Sequence, residues 1–396
     1  MRKFITAIIA SAALMPVYTS CAKGPEEVPD WRKYQDPKDD QTEAPVSGEK
    51  IPSDMVLLYG GGHHRSPYKW SASNLKDYVA YTDRAGKSHW LFDGFLMLEF
   101  MDAGNTGGDK TFITGYKYNG VALPSAVKED WQALIDYYFD VDGGVNALEQ
   151  AIESAAKDMG EAPSYKRKVV IGIPEPITNA EYSNSASSTK YWGTIAGKDM
   201  DFSSTADRMT ACKWYMDEVI KKFKDGKYKY VELAGFYWVA EKATQTRDLM
   251  SKIGEYLDKK GYTFNWIPYF SADGFSEWKS FGFTCAYLQP NYFFNVNVPD
   301  TRLDDACSQA LKFGMGMEIE FDGNALEKNG RGYRLTNYMN AFKKYGVWKS
   351  LPIAYYQGSW ALKWLKTSSS EADKNLYYDF CDFVVTRPYR TEKESK

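Results

Sequence analysis

The chain has 396 residues, of which 44% are hydrophobic, enough for one large folded domain or two ordinary ones. Its formal net charge of −3 gives no reason to expect nucleic acid as a partner. Aromatic residues make up 16% of the chain, an excess that suits a large core and also stacking against sugar rings.

The N terminus has the pattern of an export signal. Arg2 and Lys3 precede the apolar run FITAIIASAALM, which is too short to span a bilayer. The run ends at VYTSC, which resembles a bacterial lipoprotein lipobox, although Tyr18 stands where that pattern prefers a small or aliphatic residue. The resemblance implies a signal peptide at residues 1–20 and lipidation of Cys21; an ordinary cleaved signal is the alternative.

A lipid on Cys21 would anchor an exported protein to a bacterial membrane, with the outer membrane and cell surface as one option. Residues 21–50 are rich in Pro, Asp, Glu and Lys, which predicts a flexible tether before a domain at 51–396. Cys285 and Cys381 lie in apolar contexts, TCAYL and FCDFVV, which favours buried thiols over disulfides.

Short β-rich runs alternate with amphipathic stretches throughout the domain. One stretch places Val145, Leu148 and Ile152 on one helical face. Strands alternating with helices predict an α/β fold, a (β/α)8 TIM barrel with enlarged loops after strands 2 and 3, at 101–123 and 177–204. An open doubly wound sheet is the alternative. The runs are 55–60, 94–100, 168–176, 230–241, 262–270, 283–293, 316–323 and 351–360.

Polar and aromatic residues gather where these runs end, the face on which such barrels carry their sites. Carboxylates and amides suit sugar hydroxyls, and rings suit the apolar faces of sugars, although many rings at such positions are core. No nucleotide-binding glycine motif follows any strand, and no metal site or cofactor is predicted. The candidate substrate-binding residues are His63, His64, Glu99, Glu175, Trp238, Tyr269, Gln289, Asn291, Asp322, Tyr356 and Gln357.

The seventh run, GMEIEFDG, alternates three acids with apolar residues. In a strand these acids share one face, and in a barrel that face is the interior. We expect Glu318 to be a deep, hydrogen-bonded structural residue, Glu320 to lie at the working layer and Asp322 at the rim. A solvated strand face is the alternative.

Acids at the ends of strands four and seven resemble the layout of clan A glycoside hydrolases. The resemblance implies Glu241, at the end of GFYWVAE, as general acid/base and Glu320 as nucleophile. Such hydrolysis needs one protonated and one ionised carboxyl, about 5 Å apart when configuration is retained. Two departures stand out: Ala240 occupies the position where the clan usually has Asn, and the seventh strand has three acids instead of one. Glu241 could instead begin the next helix.

The lipobox-like start, LLYGGGHHR, GFYWVAE and LQPNYF are also similar to a family of Bacteroidetes surface lipoproteins, a domain of unknown function that implies no activity. The predicted function is a glycoside hydrolase acting on a poly- or oligosaccharide through Glu241 and Glu320. The alternative is a non-catalytic glycan-binding lipoprotein on the same scaffold. The sugar, the linkage and the oligomeric state stay open.

Overall fold

Eight parallel strands close into a barrel in a computed structural model of the chain. The predicted signal peptide, Cys21 and the tether up to residue 49 lie outside the described residues. The described ranges are 50–65, 69–102, 109–178, 190–358 and 360–390.

Each strand pairs in parallel with its neighbours in the chain, and the last pairs with the first. The predicted TIM barrel is therefore confirmed, because an open sheet would leave the first strand with one partner at the edge. The strands are β1 (Asp54–Tyr59), β2 (Gly94–Leu98), β3 (Arg167–Ile173), β4 (Val231–Trp238), β5 (Thr263–Trp266), β6 (Cys285–Leu288), β7 (Gly316–Glu320) and β8 (Ile353–Tyr356).

Helices surround the barrel, and several begin at serines whose hydroxyl accepts a free backbone N–H of the first turn, as Ser71, Ser204 and Ser370 do. A 3-10 helix, Phe275–Phe281, replaces a full helix between β5 and β6. The α-helices are α1 (Ala72–Val79), α2 (Lys128–Tyr138), α3 (Gly144–Met159), α4 (Thr205–Gly226), α5 (Arg247–Lys259), α6 (Thr301–Phe313), α7 (Gly332–Lys344), α8 (Val347–Ser350), α9 (Ala361–Thr367) and α10 (Glu371–Val385).

The connections after β2 and β3 are long, as predicted, and each contains a small hairpin. Lys117–Tyr118 pairs with Val121–Ala122 in the first connection, and Gly193–Ile195 pairs with Lys198–Met200 in the second. Both connections lie at the carboxyl-terminal end of the barrel, so they enlarge the face that carries the cavity described below.

A bulge in β4 decides which of its side chains face the barrel interior. Pairing with β3 shifts between Leu233 and Gly235, where a Cβ on Gly235 would lie 2.2 Å from the carbonyl oxygen of Thr263. Ala234 belongs to the interior core, and after the bulge so do Tyr237 and Val239, three and five residues later. A shift of one residue exchanges the two faces of a strand.

Among the described residues, no helix is both long enough and apolar enough to cross a membrane. The cysteines described, Cys212, Cys285, Cys307 and Cys381, are buried free thiols, which confirms the expectation for Cys285 and Cys381. Burial raises the pKa of the Cys212 and Cys285 thiols to about 12, so both stay protonated and poorly nucleophilic.

A buried ion cluster closes the amino-terminal end of the barrel. The Asp54 carboxylate, at the start of β1, accepts hydrogen bonds from Arg387, from Arg390 at 3.2 Å and from the Tyr355 hydroxyl at 2.6 Å. Asp54 is 0% exposed and Arg387 is 3% exposed. The cluster therefore ties the segment after α10 to β1 and β8 with the charge of the acid matched.

Replacing Asp54 by Asn should lower the free energy of unfolding by about 3–5 kcal/mol, because it leaves two arginines without their buried counterion. Urea unfolding followed by circular dichroism measures the loss. Asp379→Asn is the matched control, since Asp379 pairs with Arg84 where the side chains are 60% and 44% exposed. The control should lose less than about 1 kcal/mol. Equal losses in both variants would contradict a structural role for the cluster.

Candidate active site

A cavity of about 150 Å³ lies at the carboxyl-terminal end of the barrel. Glu241 follows β4, Gln289 follows β6 and Glu318 lies on β7. Three rings come from the adjacent strands β1, β2 and β8: Tyr59 ends β1, Phe100 follows β2 and Tyr356 ends β8. These three rings therefore form one side of the cavity, while Tyr237 of β4 and Phe294 after β6 add rings beside the polar residues. The residues around the cavity are Leu57, Tyr59, Phe100, Tyr237, Glu241, Ile267, Gln289, Phe294, Glu318 and Tyr356.

The aromatic wall is a continuous row of edge-to-face contacts. Ring centroids lie 5.3 Å apart for Tyr59 and Phe100, 5.6 Å for Tyr59 and Tyr356, and 5.7 Å for Tyr356 and Phe294. Such pairs stabilise one another and hold each ring in one orientation. The wall is therefore a preformed apolar surface rather than a set of mobile side chains.

Glu320 is wholly buried and surrounded by hydrogen-bond donors. Gln289 Nε2 donates to Oε1 at 3.1 Å, and the Tyr338 hydroxyl, on α7, donates to Oε2 at 2.6 Å. The backbone N–H groups of Asn291 and Tyr292 donate as well. Burial raises the pKa of Glu320, while these donors act in the opposite direction by stabilising the carboxylate.

The backbone N–H groups of Asn291 and Tyr292 belong to the loop after β6, and Arg334 holds this loop in place. Arg334, on α7 and 2% exposed, donates to the carbonyl oxygens of Tyr292, Asn295 and Val298, and its guanidinium lies 3.6 Å from the Tyr292 ring centroid. Asn291 has a φ of 51°, a left-handed conformation that Asn adopts more readily than most residues. This turn directs consecutive N–H groups toward Glu320.

Glu241 and Glu318 differ from Glu320 because neither accepts a hydrogen bond from the described residues. Burial, followed by the nearby Glu320 carboxylate, raises the pKa of Glu241 to about 7. Glu318 is 2% exposed, and burial together with Glu320 and Glu241 raises its pKa well above the usual range. Hydrogen-bond donors thus favour ionisation of Glu320 relative to Glu318, although burial raises the pKa of both, and Glu241 is close to its midpoint at neutral pH.

The structure brings together part of the predicted site. Glu241, Gln289 and Tyr356 line the cavity. Tyr269 lies close by, since its phenol pKa is raised by burial and then by the Glu241 carboxylate. All four come from strand ends.

Glu318 lies two residues deeper in β7 than Glu320, as expected, but the predicted contacts of the two acids were wrong. Glu318, expected to be hydrogen-bonded, is 2% exposed and lines the cavity without a hydrogen-bond partner among the described residues. Glu320, expected at the working layer, is 0% exposed and lies behind Gln289. The reason is that Gln289 after β6 and Tyr338 of α7 both bind its carboxylate.

Trp238 and Gln357 are not at the cavity, which corrects their prediction as substrate-binding residues. Trp238 is 0% exposed between barrel and helices, where its indole N–H donates to Thr246 Oγ1 at 3.2 Å. The β4 bulge turns it outward. Gln357 is 1% exposed and accepts a hydrogen bond from the Tyr78 hydroxyl of α1 at 3.1 Å, so it joins β8 to a helix.

Three further candidates shape loops around the site. Glu175 accepts the Thr114 backbone N–H at 2.7 Å and so holds the long β2 connection against the end of β3. Asp322 lies at the rim as predicted and accepts the Asn324 backbone N–H at 2.8 Å, which starts a 3-10 turn. Asn291 supplies its backbone N–H to Glu320.

Glu99 binds a cation that the sequence reasoning missed. Arg65 Nη2 lies 2.6 Å from Glu99 Oε1 and Arg65 Nε lies 2.9 Å from Oε2, with the guanidinium 4.5 Å from the Tyr59 ring centroid. Burial raises the pKa of Glu99, but Arg65 outweighs burial and the net pKa is lowered. Glu99 therefore holds Arg65 against the back of the aromatic wall. Only the spatial pairing shows this role, since Arg65 is a single residue at the end of GGGHHR.

The two histidines lie beside the cavity rather than in it. His63 is exposed and its Nε2 pairs with Asp109 at 2.5 Å. Burial, followed by Arg65, lowers the pKa of His64 to about 4, so its ring stays neutral at physiological pH. Across the described part of the chain, no group of three or more His, Cys, Asp or Glu residues is placed to hold a metal ion.

The match to a known family covers the whole barrel. The model of a domain of unknown function, DUF4855, matches residues 54–382, from β1 into α10. The chain belongs to this family. Membership assigns the fold unit and leaves the activity open, and the chain matches no curated protein.

Solved structures with a related fold are distant from this member of the family. An intracellular xylanase from Thermoanaerobacterium saccharolyticum is 8% identical over 80% of this chain and 88% of its own, with a TM-score of 0.39. The α-subunit of tryptophan synthase from Pyrococcus furiosus, a mutant form, is 7% identical over 84% and 98%, with a TM-score of 0.32. These likenesses say nothing about the activity of this chain.

Replacing Glu241 by Gln should stabilise the protein at alkaline pH. Its pKa is raised from 4.5 to about 7, so the acid contributes stability below pH 4.5 that is lost as pH rises through 7. Gln imitates the protonated form at every pH. Thermal unfolding at pH 8 should show a gain of roughly 1–2 kcal/mol, moderated by partial exposure of the carboxyl, and little gain at pH 4.5. A gain of the same size at both pH values would contradict the raised pKa.

Proposed function

We propose that this protein is a glycoside hydrolase in which Glu241 is the general acid/base and Glu320 the anionic partner. One observation supports the assignment: the end of the barrel holds two neighbouring carboxyls in opposite environments. Glu320 accepts four hydrogen bonds, whereas Glu241 accepts none from the described residues and has a pKa of about 7. Cleavage of a glycosidic bond needs such an acid and such a carboxylate.

In the proposed reaction, Glu241 gives its proton to the glycosidic oxygen as the bond from that oxygen to the anomeric carbon breaks. Glu320 forms an ester to the same carbon as the protonated leaving group departs, and water then displaces Glu320 while Glu241 takes a proton from that water. Gln289 separates Glu320 from the cavity, so its amide has to move aside as the sugar enters. A substrate hydroxyl can replace the hydrogen bond that Gln289 gives up.

The aromatic wall supports carbohydrate as the substrate class. Tyr59, Phe100, Phe294 and Tyr356 offer a rigid apolar surface opposite acceptors for hydroxyl groups. Sugars have this same division between an apolar ring face and polar edges. The layout of acids on β4 and β7 continues to resemble clan A, and we carry the roles of Glu241 and Glu320 from that resemblance as part of the proposal.

A second function, glycan binding without catalysis, is favoured by one observation. Glu320 is 0% exposed, and a carboxylate with no surface on the cavity cannot attack a bound sugar unless Gln289 moves. A binding protein would keep the same cavity and the same wall, and it would not need Glu241 to change its protonation state.

Assaying a panel of poly- and oligosaccharides with the wild type, Glu241→Gln and Glu320→Gln separates these functions. For the hydrolase, Glu241→Gln should lower kcat by about 10²- to 10⁴-fold with little change in KM, because a general acid acts in the transition state. Glu371→Gln is the matched control, since Glu371 is 80% exposed on α10, and it should keep full activity. Glycan retention by the wild type and Glu241→Gln alike, without turnover, would replace the hydrolase proposal with the binding function.

The pH profile tests the two roles separately. Activity should fall as pH rises past about 7, because Glu241 then loses the proton it must donate. Tyr338→Phe removes one donor from the Glu320 carboxylate, which raises its pKa further. The acidic limb of the profile should therefore move to higher pH while the alkaline limb stays in place. Displacement of the alkaline limb alone would argue that Tyr338 acts on Glu241 instead.

We also propose that Cys21 carries a lipid that anchors the protein to a bacterial membrane, on the lipobox-like residues before it. Expression of the full chain in a lipoprotein-processing host should place the wild type in the membrane fraction. Cys21→Ala should move it to the soluble fraction. An unchanged distribution would show that Cys21 is not the anchor.

A further inference from the structure

The two acids that line the cavity, Glu241 and Glu318, have no counterion among the described residues. The pKa values of Glu241 and Glu318 are raised by burial and by neighbouring carboxylates, and no basic side chain of the described residues lowers either one. The cation nearest the aromatic wall, Arg65, is bound by Glu99. The opposite end of the barrel shows the usual arrangement, since Asp54 there has two arginines.

Glu318 is the acid whose situation is hardest to explain without a ligand. It is 2% exposed, it lines the cavity, and it accepts no hydrogen bond from the residues that the structure describes. Buried carboxyls are normally paired or hydrogen-bonded, because removing them from water is costly. Since Glu318 lines the cavity, a partner for its carboxyl can approach from there.

The side-chain oxygen of Gln289 is a second hydrogen-bond acceptor with no donor among the described residues. Its Nε2 donates to Glu320, so the amide cannot turn over without placing its oxygen against that carboxylate. Gln289 Oε1 is therefore left facing away from Glu320, buried and without a partner in the described structure. The carbonyl oxygens of the Glu241 and Glu318 carboxyls add further acceptors on the polar side of the cavity.

The apolar side of the cavity also favours positive charge. Its rings are those of Tyr59, Phe100, Phe294 and Tyr356, and Tyr237 of β4 adds a fifth ring beside Glu241 and Glu318. Aromatic faces attract ammonium groups, and cages of several rings are a recurring way to bind them. An ammonium group has three N–H donors and no acceptor, which complements a wall of acceptors opposite a wall of rings.

We propose that the cavity binds a sugar residue carrying a free ammonium group, a de-N-acetylated amino sugar. The sugar rests on the proposed function; the ammonium rests on the unpaired acids, the orphan amide oxygen and the rings. Acidic sugars are disfavoured by repulsion from the carboxylates of the site, and neutral or N-acetylated sugars bring no positive charge that would favour ionisation of Glu318. The titratable and charged groups around the ammonium position are Tyr59, Tyr237, Glu241, Tyr269, Glu318, Glu320, Tyr338 and Tyr356, with the Arg65–Glu99 pair behind Tyr59.

Isothermal titration calorimetry with a glucosamine oligosaccharide and its N-acetylated counterpart of the same length tests this inference. The free amine should bind at least about tenfold more tightly, and its affinity should fall with added salt. Binding should also release protons, since an ammonium beside Glu318 favours the carboxylate, so the measured heat should depend on the buffer. Equal or tighter binding of the N-acetylated ligand overturns the proposal.

Two variants test whether the preference for the free amine over the N-acetylated ligand depends on the carboxyl of Glu318. Glu318→Gln keeps the shape and removes the charge, so the amine should lose its advantage over the N-acetylated ligand. The exposed Glu371→Gln should keep the preference unchanged. Melting temperatures of the same samples establish that Glu318→Gln is folded, and Glu241→Gln provides a second cavity variant with the same expected direction. Full preference in both cavity variants overturns the proposal.

The outcome is separable from that of the hydrolase proposal. Cleavage of neutral glycans with no affinity for the amine would leave the hydrolase standing and overturn the ammonium site. Binding of the amine with release of protons and no cleavage would support the ammonium site and overturn the hydrolase.

Discussion

This barrel depends on whether the charges of its interior acids are compensated by cations. At the amino-terminal end, Asp54 is buried with Arg387 and Arg390, and its charge is matched. At the carboxyl-terminal end, Glu318 is buried and Glu241 half-buried, and neither has a cation from the described residues. An interior acid is thus paired with arginines at one end of the barrel and left without a cation at the other. This difference distinguishes the structural end of the barrel from the functional end.

Much of the architecture near the cavity serves to keep one charge, that of Glu320, inside the protein. Four donors stabilise it, two from side chains and two from a loop whose shape depends on Arg334. Arg334 pairs with carbonyl groups rather than with Glu320, so it supports the carboxylate without neutralising it. Burial, followed by this negative charge, raises the pKa values of Glu241 and Glu318, and this makes the site less stable than an apolar filling would be.

The barrel could be predicted from sequence because its eight strands are short apolar runs separated by amphipathic helices, a pattern carried by local residues. Glu241, Gln289 and Tyr356 were placed correctly because strand ends converge in any such barrel. Trp238 and Gln357 were misplaced because their faces depend on a bulge and on one contact with α1. Arg65 and Tyr338 were missed because their partners are distant in the chain, and the access of Glu320 to the cavity depends on Gln289 in the loop after β6.

The bulge in β4 has an evolutionary consequence. Because one extra residue between Leu233 and Gly235 exchanges the faces of the strand beyond it, that residue decides whether Tyr237 or Trp238 points inward. Relatives that lack it would present an indole where this chain presents a phenol and a carboxyl, even with every other residue unchanged. Functional divergence in such barrels can therefore begin with an insertion or deletion, and a comparison of identities column by column would overlook it.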